Sequence, residues 1–149
     1  MHRNTLHIAY CRSHSVAGLL IGHRAPFSRW SHCALYADDE TVIESRVRGG
    51  VVETPIGEFI RRYPHPGQRT IVSHHVNDAQ AGIAWARRQL GKGYDWRAVA
   101  GLALRSAWHD ADRWTCSELV EMALAHAGRP RWRDDASRIT PNLSYMVRP

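Results

Sequence analysis

The stretch Ser31-His32-Cys33-Ala34-Leu35-Tyr36-Ala37-Asp38-Asp39-Glu40-Thr41-Val42-Ile43-Glu44-Ser45 decides the fold. Its two strand-like runs, 31–36 and 40–45, flank the turn-forming tripeptide Ala37-Asp38-Asp39. This pattern predicts a β-hairpin with a loop of about three residues. Tyr36 then faces Glu40, Ala34 faces Val42 and His32 faces Glu44. Directly opposed residues share one sheet face, with Cβ atoms about 4.5–5.5 Å apart. Glu44 is thereby placed to accept a hydrogen bond from one nitrogen of His32 and leave the other free. A two-residue loop would shift the register by one and set His32 against Ser45 instead. Cys33 alternates to the opposite face and reads as core.

Further strands are expected on both sides of this hairpin. Residues 6–11 form a short apolar run containing Cys11, which also reads as core. Residues 51–54 follow Gly49-Gly50, and residues 70–76 follow the turn Pro64-His65-Pro66-Gly67. A short helix is expected from Pro55 to Arg62, with the proline in its first turn. A longer one runs from a cap at Asn77 or Asp78 to Leu90, with the apolar stripe Ala79, Ile83, Ala86, Leu90 and Gly91 as C-cap. Gly91-Lys92-Gly93-Tyr94-Asp95-Trp96 reads as a tight turn before a helical piece over about 97–106, and the last clear helix spans 116–127. Residues 16–22 fit no clear pattern, 26–30 read as a loop, and the tail beyond Gly128 reads as irregular. Strands first and helices later indicate an α+β fold with a mostly antiparallel sheet.

The composition sets the outer limits. The chain has 149 residues, 44% apolar and 23% charged, which suits one globular domain over 1–149. No apolar run approaches the roughly 20 residues of a membrane span. The polar start, Met1-His2-Arg3-Asn4-Thr5, lacks a signal-peptide core, so a cytoplasmic location is expected. The net charge of +6 comes from 19 Arg and one Lys, which are scattered apart from Arg129, Arg131 and Arg133. Scattered arginines read as a solvated face more readily than as a nucleic-acid site. Three widely spaced cysteines exclude a disulfide framework and a repeated zinc pattern. His65, His74 and His75 make no metal-ligand pattern. There is no phosphate loop, dinucleotide fingerprint or serine elbow, and no cofactor is expected.

The sharpest chemical signal is Thr115-Cys116-Ser117-Glu118. A Thr three residues before a Glu, ahead of an apolar helical run, is a capping box. It puts Cys116 at the first helical position, beside unpaired N–H groups and the positive end of the helix dipole. That environment favours a thiolate, and its N–H groups suit an oxyanion. A small buried residue that merely follows a cap would look the same. A thiolate nucleophile needs a base, and His32 oriented by Glu44 completes a nucleophile, a base and an orienter. A lone strand histidine is more often structural. Tyr94 is either a packed aromatic or a hydroxyl at the edge of the site.

In this order, the pieces resemble the NlpC-type papain-like cysteine peptidases and amidases. They are closer to the circularly permuted branch of YiiX-type amidases and lecithin retinol acyltransferase-like enzymes, in which the His strand precedes the Cys helix. The matching stretches are 31–36, Val42-Ile43-Glu44, Gly91-Lys92-Gly93-Tyr94-Asp95-Trp96 and Cys116-Ser117-Glu118-Leu119-Val120. The resemblance implies a permuted papain-like fold, with the sheet packed against the helix that carries the nucleophile. It implies Cys116 as nucleophile, His32 as base and Glu44 as third polar member. Tyr94 would line the site, and the Cys116 N–H would help form the oxyanion hole, with Thr115 and Ser117 as flanking substrate-binding candidates. The implied substrate is a peptide, a peptidoglycan fragment or an acyl group. Two features depart from the pattern: Thr115 stands where the wall enzymes usually carry Asp, and no clear Gly-Asp-Ile/Leu strand precedes Ser31. With neither leader nor wall-binding module, a compact phage or prophage form would fit. Two other classes stay open, a catalytically silent groove that binds a peptide or lipid, and an Arg-rich nucleic-acid binder. The sequence leaves the oligomeric state unread.

Overall fold

The structure, a computed structural model, describes residues 3–12, 29–98, 112–132, 139–147 and 149. The strands are β1 (Thr5–Cys11), β2 (His32–Tyr36), β3 (Thr41–Arg46), β4 (Gly50–Pro55) and β5 (Arg69–His75), with a small pair β6 (Gly93–Tyr94) and β7 (Arg113–Trp114). The helices are α1 (Ile56–Arg62), α2 (Ala79–Arg87), α3 (Cys116–His126) and α4 (Pro141–Met146). The five longer strands form one sheet in the order β4-β3-β2-β1-β5. All its pairings are antiparallel. The α+β expectation therefore holds, and the helices divide between the two faces of the sheet.

One face is covered by α3 and α2. Ile8, Cys33, Leu35, Ile43, Ile83, Leu119 and Leu124 belong to this larger core. The other face carries Ala9, Cys11, Ala34 and Val42 beneath Phe59 and Tyr63 of the α1 region. This two-sided burial explains why 8–11 and 33–35 read as continuous apolar runs rather than strict alternations. A Cβ on Gly82 would stand 2.6 Å from the Ala123 carbonyl oxygen, so α2 and α3 approach through a residue that has none.

The hairpin forms, but its loop lies one residue later than expected. Ala37 N donates to Thr41 O at 3.0 Å, enclosing Asp38-Asp39-Glu40. One Asp38 carboxylate oxygen accepts from Glu40 N, Thr41 N and the Thr41 hydroxyl at 2.9, 2.7 and 3.0 Å. That side-chain turn outcompetes the one that would begin at Ala37. The pairing becomes Leu35 with Ile43 and Tyr36 with Val42. Carried along the strands, this sets Ala34, not His32, directly beside Glu44. The slip is two residues, so parity is preserved and Glu44 stays on the expected face.

Other differences are local. The helix expected to reach Leu90 ends at Arg87, with residues 88–91 in turns and Gly91 at φ 85°. Its N-cap is Asp78, which accepts from Gln80 N and Ala81 N. The turn 91–96 contains β6, paired in parallel with β7. Strands of two residues have no periodicity to read. Of the helix expected at 97–106, only its start at 96–98 is described, and residues 16–22 lie outside the described set. The tail is not wholly irregular: Thr140 caps α4, with Pro141 in its first turn.

Candidate active site

Cys116 is the first residue of α3. Thr115 caps that helix, its side chain accepting from Glu118 N, while the Glu118 side chain accepts from Thr115 N. This capping box fixes the direction in which the chain enters the helix. The preceding turn is held as well. The carbonyl of Trp114 accepts from Ser45 Oγ of β3 at 2.6 Å and from Asp95 N at 3.3 Å. The start of α3 is thereby tied to the sheet and to the end of β6, and Cys116 is 3% exposed.

His32 opens β2 and pairs with Cys11, the last residue of β1, so it sits at an end of the sheet. Its Nε2 donates to Glu44 Oε2 at 2.7 Å. The Tyr63 ring lies nearly parallel to the imidazole, 6.3 Å away between centroids. Glu44 is fully buried. Its Oε1 accepts from Thr54 Oγ1 at 2.8 Å and from Arg62 Nη2, and its Oε2 accepts from Arg62 Nη1 at 3.3 Å. The carboxylate thus has four donor contacts from three residues on β2, β4 and α1. Buried charge is tolerated when it is paired and hydrogen-bonded in this way.

The electrostatics follow from this packing. The Cys33 thiol, hydrogen-bonded to Cys116, lowers its pKa most; burial opposes that, and the hydrogen bond and charge of His32 reinforce it. The net result holds Cys116 well below the ordinary thiol range. With Nε2 on Glu44, Nδ1 is the ring nitrogen left for Cys116. Burial pulls the imidazole down, but the hydrogen bonds to Cys116 and Glu44 and their charges raise it to about 9. Burial pushes Glu44 up, and His32 and then Arg62 hold it at about 2. Both shifts run in the direction that favours a thiolate beside an imidazolium.

The structure brings Cys116, His32 and Glu44 together. Tyr94 is buried on β6, its ring edge-on to Trp96. Its hydroxyl is held well above the ordinary range, first by burial and then by the charges of Cys116 and Cys33. Thr115 and Ser117 flank the thiol, but their hydroxyls are committed within the fold. Thr115 caps α3, and Ser117 donates to the carbonyl of Ile139. Cys33 is core, as expected, and also touches the site. Sequence reasoning missed Arg62, Tyr63, Thr54 and Ser45. Arg62 and Glu44 are 18 positions apart on different elements, and no local spacing links them.

Among the described residues, no group of three or more His, Cys, Asp or Glu is placed to hold a metal ion. Nor is any described helix long and apolar enough to cross a membrane. No protein-family profile matches the chain, and no curated protein matches it. Among solved structures, the crystal structure of metalloprotein YiiX from Escherichia coli O157:H7, DUF1105, is similar at a TM-score of 0.59 and 24% sequence identity. The likeness covers 87% of this chain and 69% of that one. At this identity the likeness is one of fold.

Proposed function

We propose that the chain is a permuted papain-like thiol hydrolase that cleaves an amide or ester bond through a covalent acyl-enzyme. The observation that carries this reading is the convergence on one end of the sheet. A cysteine at a capped helix N-terminus meets a histidine whose far nitrogen is fixed by a buried carboxylate. The resemblance of 31–36, 42–44, 91–96 and 116–120 to the permuted NlpC-type enzymes supports it, as does the fold shared with YiiX.

In this mechanism the Cys116 thiolate attacks the substrate carbonyl carbon. The carbonyl π electrons move onto oxygen, and the resulting oxyanion lies near the helix start, toward which the first backbone N–H groups of α3 are directed. Collapse of the tetrahedral adduct breaks the bond to nitrogen or oxygen. His32 gives its proton to the departing amine or alcohol, leaving a thioester on Cys116. Neutral His32 then takes a proton from water, which attacks the thioester and releases the acid. Glu44 holds the imidazole in place throughout and stabilises its protonated form. The substrate class is a peptide, a peptidoglycan fragment or an acyl chain. YiiX is described as a metalloprotein, but the described residues here offer no ligand cluster, and no step runs through a metal.

A p-nitrophenyl ester tests this reading. It is expected to give a nitrophenolate burst stoichiometric with protein and an acyl adduct mapped to Cys116, both lost in Cys116→Ala and His32→Ala. Slow turnover without a burst or adduct, unchanged in those variants, would leave a groove that binds without catalysing.

A further inference from the structure

A thiolate and a carboxylate buried beside one imidazolium carry a net negative charge, and uncompensated charge is costly away from water. Arg62 supplies the missing cation. It lies in the last turn of α1, and its guanidinium forks across both oxygens of Glu44. It also lies over the Phe59 ring at 5.5 Å and the Tyr63 ring at 5.8 Å. Tyr63 in turn stacks on His32. The end of α1 therefore touches the Glu44–His32 pair twice, through charge and through a ring.

Other groups face this pair without replacing the arginine. Cys33 of β2 and Cys11 of β1 are buried thiols. Tyr63 and Tyr94 are buried phenols. Thr54 of β4 gives a neutral hydrogen bond. Arg69 of β5, a cation near Cys11, has its Nε on the Tyr63 carbonyl at 2.9 Å. Among the described residues, Arg62 is the cation that forms an ion pair with Glu44 apart from His32 itself.

We propose that Arg62 is a positioning residue that neutralises Glu44 and thereby lets the Cys116 thiolate and the His32 imidazolium coexist at neutral pH. This rests on the thiol-hydrolase reading and names a component that the resemblance did not supply. Without Arg62, two buried anions share one cation. The least costly relief is protonation of Cys116, which moves the onset of thiolate chemistry upward in pH.

The test is the pH profile of Cys116 alkylation by iodoacetamide in the folded protein, which needs no substrate. Arg62→Gln is expected to move the acid limb of Cys116 upward by more than one pH unit, which is at least a tenfold slower reaction at any pH below both limbs. Arg62→Lys, which keeps the charge but not the fork, is expected to restore most of the rate. Arg62→Gln with Glu44→Gln removes anion and cation together and is expected to return the acid limb toward that of Glu44→Gln alone. A role in fold stability alone would lower the melting temperature and leave the profile in place. A wild-type profile with a low acid limb that Arg62→Gln does not move would overturn this inference and leave the hydrolase reading standing. A wild-type Cys116 that titrates like an ordinary thiol would overturn both. Should Arg62→Gln fail to fold, Arg62→Met, which keeps the apolar stem and removes the charge, replaces it with the same expected shift and the same overturning result.

Discussion

At the scale of the residue, the chemistry of Cys116 depends on neighbours from four elements: Cys33 and His32 on β2, Tyr94 on β6, Ser45 on β3 through the Trp114 carbonyl, and its own helix start. Cys33 has the strongest lowering effect on Cys116 while its own thiol is held well above the ordinary range, chiefly by burial. A thiol that stays protonated is a hydrogen-bond donor to a thiolate. Cys33→Ala is therefore expected to raise the acid limb of Cys116 alkylation while leaving its dependence on His32 intact. Site-resolved labelling across pH checks this, and an unchanged limb would confine Cys33 to packing. Cys116, His32 and Glu44 were legible because each has a local signal: a capping box, a strand histidine, and parity across a hairpin. Arg62 and Cys33 were not, because their roles arise from contacts between elements that no local periodicity encodes.

At the scale of the element, α3 does two jobs, covering the larger core and presenting Cys116. Eight of its eleven residues are buried, including Glu118 and Glu121. Each of these carboxylates has a specific partner. Glu118 closes the capping box, and Glu121 pairs with Arg131 through Nε at 3.0 Å and through Nη2. Thr115→Ala removes the acceptor for Glu118 N and is expected to cost about 1 kcal/mol of stability. It also loosens the helix end at Cys116, so alkylation at pH 7 is expected to slow in the same variant. Urea unfolding and labelling check the two effects separately; a stability loss without slower labelling would show that the cap serves the fold alone. The hairpin shows why the sequence gets parity right and register wrong. The Asp38 turn moves the loop by one residue and the pairing by two, but both loops contain three residues. The small β6–β7 pair and α4 were missed because two-residue strands and a six-residue helix have too few positions to set a period.

At the scale of the whole molecule, the polar interior is divided. One network surrounds Glu44, and a second joins Tyr10, Ser144, Arg131 and Glu121 behind the sheet. His74 of β5 lies near the second network. It is fully buried, and neither ring nitrogen has a hydrogen-bond partner among the described residues. Burial first, then the charges of Arg131 and Arg129, hold it down at about 3, so the native state keeps it neutral. The unfolded chain binds a proton there near the reference value of about 6.5. The unfolded state therefore gains protons first, and stability falls as pH drops from about 6.5 toward 3. Between pH 7 and 5 this one group is expected to remove about 2 kcal/mol. Urea unfolding of wild type and His74→Leu at both pH values isolates it: the variant is expected to lose about 2 kcal/mol less. An identical loss in both would place acid sensitivity elsewhere. The class of the fold was legible in the order of strands and helices, whereas this second polar network, assembled from distant segments, was not.

The central claim is that Cys116 is a thiolate sustained by His32, and the pH dependence of its alkylation tests this most directly. Iodoacetamide labelling is followed site by site in the folded wild type and in His32→Ala, with Cys11 and Cys33 as internal controls. The wild-type Cys116 is expected to react rapidly below pH 7 while both controls stay slow, and to lose that advantage without His32. The imidazolium partner is expected to persist until pH rises through about 9. A Cys116 that titrates near the free-thiol value of about 8.5, with or without His32, would contradict the account.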